Sequence, residues 1–188
     1  MGQFSRTPGS SAHDLAREAI ALVMANPRRA RAMAQAAIAV PAGGDVTATV
    51  TAHRALGLAT RELHDAAGGA VHLRRAVSIA DRSGVAPLAA EARMSLALVL
   101  DDLGRPRAAL RAIDLARQTS TGLAFARATM QRAVILRRMG RCPEALADYR
   151  VALNTFRRYG DRLWQARALT NRGVLYAYTG EIALAEAD

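Results

Sequence analysis

Between residues 87 and 119 the apolar positions recur every three or four residues. Leu96, Leu100 and Leu103 fall at i, i+4 and i+7, and Ala109, Ile113 and Ala116 repeat that spacing. This is the period of a helix with one buried stripe, and no stretch of the chain alternates strictly at two as a half-buried strand would. Punctuation divides the pattern. Asn26-Pro27 supplies an N-cap and a proline that needs no amide hydrogen, and Pro41-Ala42-Gly43-Gly44-Asp45 breaks the helix that follows. Ser83-Gly84, Pro87, Gly104, Pro143 and Gly160-Asp161 mark further ends and starts. The pattern predicts an all-α chain of ten helices in about five antiparallel hairpins, over 11–40, 47–82, 87–119, 122–159 and 162–188. The first helix is expected from Ser11 to about Met24. The polar stretch 1–10 reads as a disordered lead-in.

A phrase repeats within this pattern. Leu103-Gly104-Arg105 leads into Ala109-Leu110, Ile113 and Ala116; Met139-Gly140-Arg141 leads into Ala145-Leu146, Tyr149 and Ala152; Thr179-Gly180-Glu181 leads into Ala185. Leu63-His64-Asp65, before Gly69, Leu73 and Ala76, is a degenerate copy. The phrases start at 64, 104, 140 and 180, spacings of 40, 36 and 40. Self-similarity at that period marks a stacked array whose units bury their apolar faces against neighbours. Small residues recur where the two helices of each unit would approach: Ala97, Ala133 and Gly173 on the first helix, Ala109, Ala145 and Ala185 on the second.

A small residue on the first helix, Gly seven later, Ala five after that, then Tyr or Leu and Ala: this order resembles the tetratricopeptide (TPR) repeat. The match covers about 47–188, and 11–40 as a divergent hairpin. The family's Trp position holds His53, Arg93, Thr129 and Leu169, its final Pro is absent, and the period is near 40 where the family has 34. The chain is therefore similar to the long-period TPR type of large bacterial signalling proteins. Ala90 to Ala97, with Asn171 to Leu175, more distantly resembles the N-terminal arrays of bacterial proteins that end in a caspase-like CHAT domain. The resemblance implies a right-handed α-solenoid that serves as a protein-interaction scaffold, here the N-terminal part of a larger protein. The arm of a transcription factor and the non-catalytic region of a CHAT-type peptidase are the alternatives.

Composition changes this picture little. Aromatics are 4% of 188 residues, which suits closely packed helices and not sheets. The net charge is +10, and all 26 basic residues are Arg. An Arg bias without Lys matches a GC-rich genome, so nucleic acid is not the expected partner. One cysteine excludes an intrachain disulfide and fits a reducing, cytoplasmic setting. No apolar run is long enough to span a membrane.

Little in the chain suggests catalysis, and no cofactor or metal is expected. Cys142 stands in a predicted turn before Pro143, without a base positioned beside it. His13, His53, His64 and His72 lack metal-site spacing, and the adjacent Asp101-Asp102 point away from each other on a helix. Trp164, Tyr149, Phe156, Tyr159, Tyr176 and Tyr178 read as packing residues, with Tyr178 exposed. The TPR resemblance implies a concave groove lined by the first helix of each hairpin. Carried over, it selects Arg54, Leu58 and Arg61; Glu91, Met94, Ser95, Leu98 and Asp101; Arg127, Met130, Gln131, Val134 and Arg137; and Arg167, Thr170, Asn171, Val174 and Tyr178. Asn171 falls where the family often holds a peptide backbone. The Arg, Met and Gln mixture suits an extended acidic peptide. Helix ten stops at Asp188 after about two turns. The side of helix nine near Val174 and Tyr178 is therefore expected to stay apolar and to support self-association.

Overall fold

The computed structural model describes residues 11–40 and 45–188. The expected disorder of 1–10 and most of the Pro41–Asp45 break lie outside the described residues. Ten helices follow one another: α1 (Ala12–Leu22), α2 (Pro27–Ala39), α3 (Val46–Glu62), α4 (Ala66–Ser83), α5 (Ala86–Asp102), α6 (Pro106–Gln118), α7 (Gly122–Arg138), α8 (Cys142–Arg158), α9 (Arg162–Thr179) and α10 (Ile182–Ala187). No strand occurs among the described residues. α1 is shorter than expected, ending at Leu22.

The ends form as the local chemistry dictates. Ser11 and Asp14 make a reciprocal capping box on α1. Asn26 accepts the Arg29 amide at 3.0 Å with Pro27 behind it, Asp45 caps α3 and Asp161 caps α9. At the α3–α4, α5–α6 and α7–α8 turns the residue two past the helix end takes a left-handed conformation. Gly104 and Gly140 do so at φ 67° and 74°, and His64 does so at φ 68°. His64 is the degenerate copy of the phrase, with a side chain where the other copies have none.

The irregular period has a simple origin. α4 and α8 run 18 and 17 residues, and α6 only 13. Removing about one helical turn, 3.6 residues, leaves the buried face in phase and shortens that repeat from 40 to 36. The carbonyls at the early end of α6 are met by side chains: the Thr119 and Ser120 hydroxyls donate to Leu115 and Ala116 carbonyls, Ser120 at 2.7 Å.

The chain divides into two compact units, one up to Ser95 and one from Leu96. In the first, α1, α2 and α3 pack around Ala16, Ala19, Ala34, Ala52 and Ala55, with Leu56 beside them. The α3–α4 crossing is closer still. A Cβ on Gly69 would lie 2.5 Å from the Gly57 carbonyl oxygen, so two glycines face each other where the later hairpins use Ala97/Ala109 and Ala133/Ala145. The second unit has larger side chains at its centre. Tyr149, Leu153, Phe156, Leu136 and Leu175 are fully buried, packed with Ala126, Ala133, Ala145 and Ala168.

Candidate partner-binding face on helices α7 and α9

α7 and α9 are the first helices of successive hairpins and touch each other. Asp161 fixes the start of α9 by accepting the Trp164 amide hydrogen at 3.2 Å. The Gln165 side-chain amide donates back to the Phe156 carbonyl at 3.2 Å, which ties the turn to α8. Trp164 is thereby held in the first turn of α9, half-buried, its ring stacked on Phe156 at 5.9 Å between centroids. Two guanidinium groups sit on the Trp164 ring. The central carbon of Arg127, from α7, is 4.9 Å from its centroid and that of Arg167, from α9, is 4.8 Å away. The ring quadrupole attracts each cation.

One carboxylate balances these two cations, because Asp161 lies 3.6 Å from Arg127. The cluster keeps a net positive charge beside an aromatic surface. The Arg127 Nε is buried and finds no acceptor, although the side chain as a whole is 40% exposed. Arg167 is exposed. Asn171, one turn further, donates from its amide to the Arg167 carbonyl at 2.8 Å, and the Thr170 hydroxyl donates to the Ala166 carbonyl at 3.0 Å. Both bonds return to the backbone of α9 itself.

The other groove candidates fall into different settings. Gln131 is half-buried on α7. Met130, expected to line the groove, is 8% exposed and packed in the core. Arg137 is half-buried beside Tyr149, whose phenol is pushed up to about 12 chiefly by burial. Tyr178 is 71% exposed, as expected, and so is Val174 at 48%. Tyr159, expected in the packing, is 55% exposed. In the first unit Arg54 is already committed. It pairs with Glu91 and donates to the Ser95 hydroxyl at 3.4 Å, and burial pulls its pKa below the usual value despite that pair. Arg61 pairs with its neighbour Glu62, and Met94 is half-buried on α5.

Elsewhere in the second unit arginines are used for construction. Arg132 bridges Asp114 of α6 at 2.6 Å and Asp148 of α8 at 2.7 Å. Arg138 holds Asp101 and Asp102 of α5, and Arg172 grips Asp188 beyond α10. Asp101 and Asp148 are shifted upward, with burial the largest cause in both. Cys142 is the first residue of α8, half-buried against the core, and not the turn thiol expected. Among the described residues no three His, Cys, Asp or Glu side chains are placed to hold a metal, and no helix is long and apolar enough to cross a membrane.

Trp164 packs against the core and Asp161 caps α9, as the sequence predicts, and the same ring also meets the Arg127 and Arg167 guanidinium groups. In the sequence that meeting shows only as positions: Arg127 and Arg167 are 40 apart, one repeat, and Trp164 precedes the second by three.

Residues 125–187 match the tetratricopeptide repeat family. No protein of curated function matches the sequence. Among solved structures, BtubC (BKLC) from P. vanneervenii superposes with a TM-score of 0.69 at 16% identity, over 94% of this chain and 84% of that one. The apo form of RapI gives 0.69 at 10% identity, over 96% and 82%. YrrB, described as a TPR protein with an unusual peptide-binding site, gives 0.56 at 22% identity, over 93% and 81%. The fold is that of an all-α array of helical hairpins of the tetratricopeptide type.

Proposed function

From a chain that carries tetratricopeptide repeat sequence over 125–187 and the tetratricopeptide fold along nearly all its length, we propose that this protein is an interaction module whose ligand is an acidic segment of another protein. The observation that carries the reading is the pair of guanidinium groups on Trp164 with Asp161 as the single carboxylate beside them. An extended peptide laid along α7 and α9 would place a carboxylate between Arg127 and Arg167, and the Asn171 side-chain oxygen could receive one of its amides. Gln131 and Arg137 extend the same face along α7. A neighbour described by its peptide-binding site agrees with this use of the fold.

Trp164 is the one tryptophan in the chain, so its fluorescence reports the site directly. Titration with an acidic peptide should change its emission, and anisotropy of the labelled peptide should saturate in parallel. Arg127→Glu with Arg167→Glu should abolish binding. Reversal of Arg28 and Arg29 on α2 should leave it intact. Equal losses from the two pairs would mean that bulk charge does the binding, and the reading would fail.

A further inference from the structure

Asp161 is pinned beside the two arginines. Its backbone amide donates to the Phe156 carbonyl at 3.0 Å, its own carbonyl accepts the Gln165 amide at 3.0 Å, and its Oδ1 accepts the Trp164 amide at 3.2 Å. The remaining oxygen, Oδ2, lies 3.6 Å from an Nη atom of Arg127. That separation lets the two charges act on each other and is too long for a hydrogen bond. Arg132 makes the contrast, because its two carboxylates stand at 2.6 and 2.7 Å and take up its donors. Asp161 therefore subtracts one charge from the cluster without occupying the Arg127 Nη donors. Capping α9 does not require that charge. Asn26 caps α2 with a neutral amide, and Thr121, one repeat before Asp161, stands uncharged at the start of α7.

We infer that Asp161 is a specificity-determining residue of this face: it biases the site toward a ligand side chain with one negative charge, a carboxylate, and against one with two, a phosphate monoester. The inference rests on the reading of Arg127 and Arg167 as the receptors of an acidic segment. With Asp161 in place the cluster carries one net positive charge, and a single carboxylate between the arginines brings it to neutrality. A phosphoseryl group, with a charge of about −1.5 to −2 at pH 7, overshoots that balance. Because Asp161 is held by three hydrogen bonds, it cannot withdraw from the incoming anion. Its repulsion grows in proportion to the ligand's charge, so it weakens a phosphate more than a carboxylate. Discrimination of this kind comes from a repulsive element built beside the attractive ones.

Two labelled peptides that differ at one position, aspartate against phosphoserine, test this on the full chain by anisotropy. Asp161→Asn keeps a capping oxygen and removes the charge, so helicity by circular dichroism should not change. It should tighten the aspartyl peptide about threefold and the phosphoseryl peptide about tenfold, since the lost repulsion acted on nearly twice the charge. Glu144→Gln removes an equal charge from the exposed pair with Arg141 on α8 and should move both affinities by less than about twofold. Suppose binding is lost in Arg127→Glu with Arg167→Glu, yet Asp161→Asn leaves the ratio of the two affinities unmoved, or Glu144→Gln moves it as far. The inference is then overturned and the binding face stands. A wild-type chain that binds neither peptide removes the binding face and the inference together.

Discussion

His64 shows how one residue records the repeat. It occupies the left-handed turn position that Gly104 holds 40 residues later, at φ 68° against 67°. A side chain there costs about 1–2 kcal/mol relative to glycine, part of which glycine returns as chain entropy. His64→Gly should therefore raise stability by roughly 0.5–1 kcal/mol in urea unfolding. Gly104→Ala should lower it by about 1 kcal/mol, although no atom lies within 4 Å of the added carbon. The crossing positions obey a different rule, set by volume. Ala145 is fully buried and packed in the core, while Ala147, two residues on, is exposed. Ala145→Leu should force α7 and α8 apart and cost about 1–3 kcal/mol; Ala147→Leu should stay within about 0.5 kcal/mol of wild type. Equal melting temperatures for the two variants would mean that the crossing is misplaced.

At the scale of elements, helices and turns were legible because their signals are local: Asn26-Pro27, Ser83-Gly84 and Gly160-Asp161 each mark their boundary within three residues. The burial of Met130 was not: it lies on a helix expected to line a groove, and whether such a position is covered depends on the neighbouring hairpin, which no local pattern reports. The α3–α4 hairpin adds an interaction of the same kind. His53 of α3 and His72 of α4 stack with ring centroids 6.0 Å apart, and the Nδ1 of His53 is buried without a partner. Burial, then His72, then Arg75 hold the His53 pKa below its ordinary 6.5. The unfolded chain thus binds a proton at His53 before the folded one does. Stability is full above pH 6.5 and falls as the pH drops below it, until the folded pKa is reached. The melting temperature should decline between pH 7 and 5, and His53→Asn should flatten that decline.

The whole molecule carries +10, and its carboxylates are largely consumed at short range. Asp114, Asp148, Asp101, Asp161, Glu144 and Asp188 each pair with an arginine in the second unit. Arg105, Arg107, Arg111, Arg150, Arg157, Arg158 and Arg162 make no ion pair among the described residues. The two populations respond differently to salt. At 0.1 M the screening length is about 10 Å, well beyond the 2.6–2.7 Å of the Arg132 bridges and short of the distances over which unpaired arginines repel. Added salt therefore removes more repulsion than attraction, and the melting temperature should rise between about 0.02 and 0.3 M. An acidic peptide approaching Arg127 and Arg167 meets the opposite balance, since its attraction includes the long-range field of the whole excess charge. Its affinity should fall over the same range, chiefly through a slower association rate. Stability and affinity moving in opposite directions would set the Trp164 face apart from simple electrostatic weakening of the fold. A joint decline would mean that the paired arginines, and not the unpaired ones, dominate the charge balance of this chain.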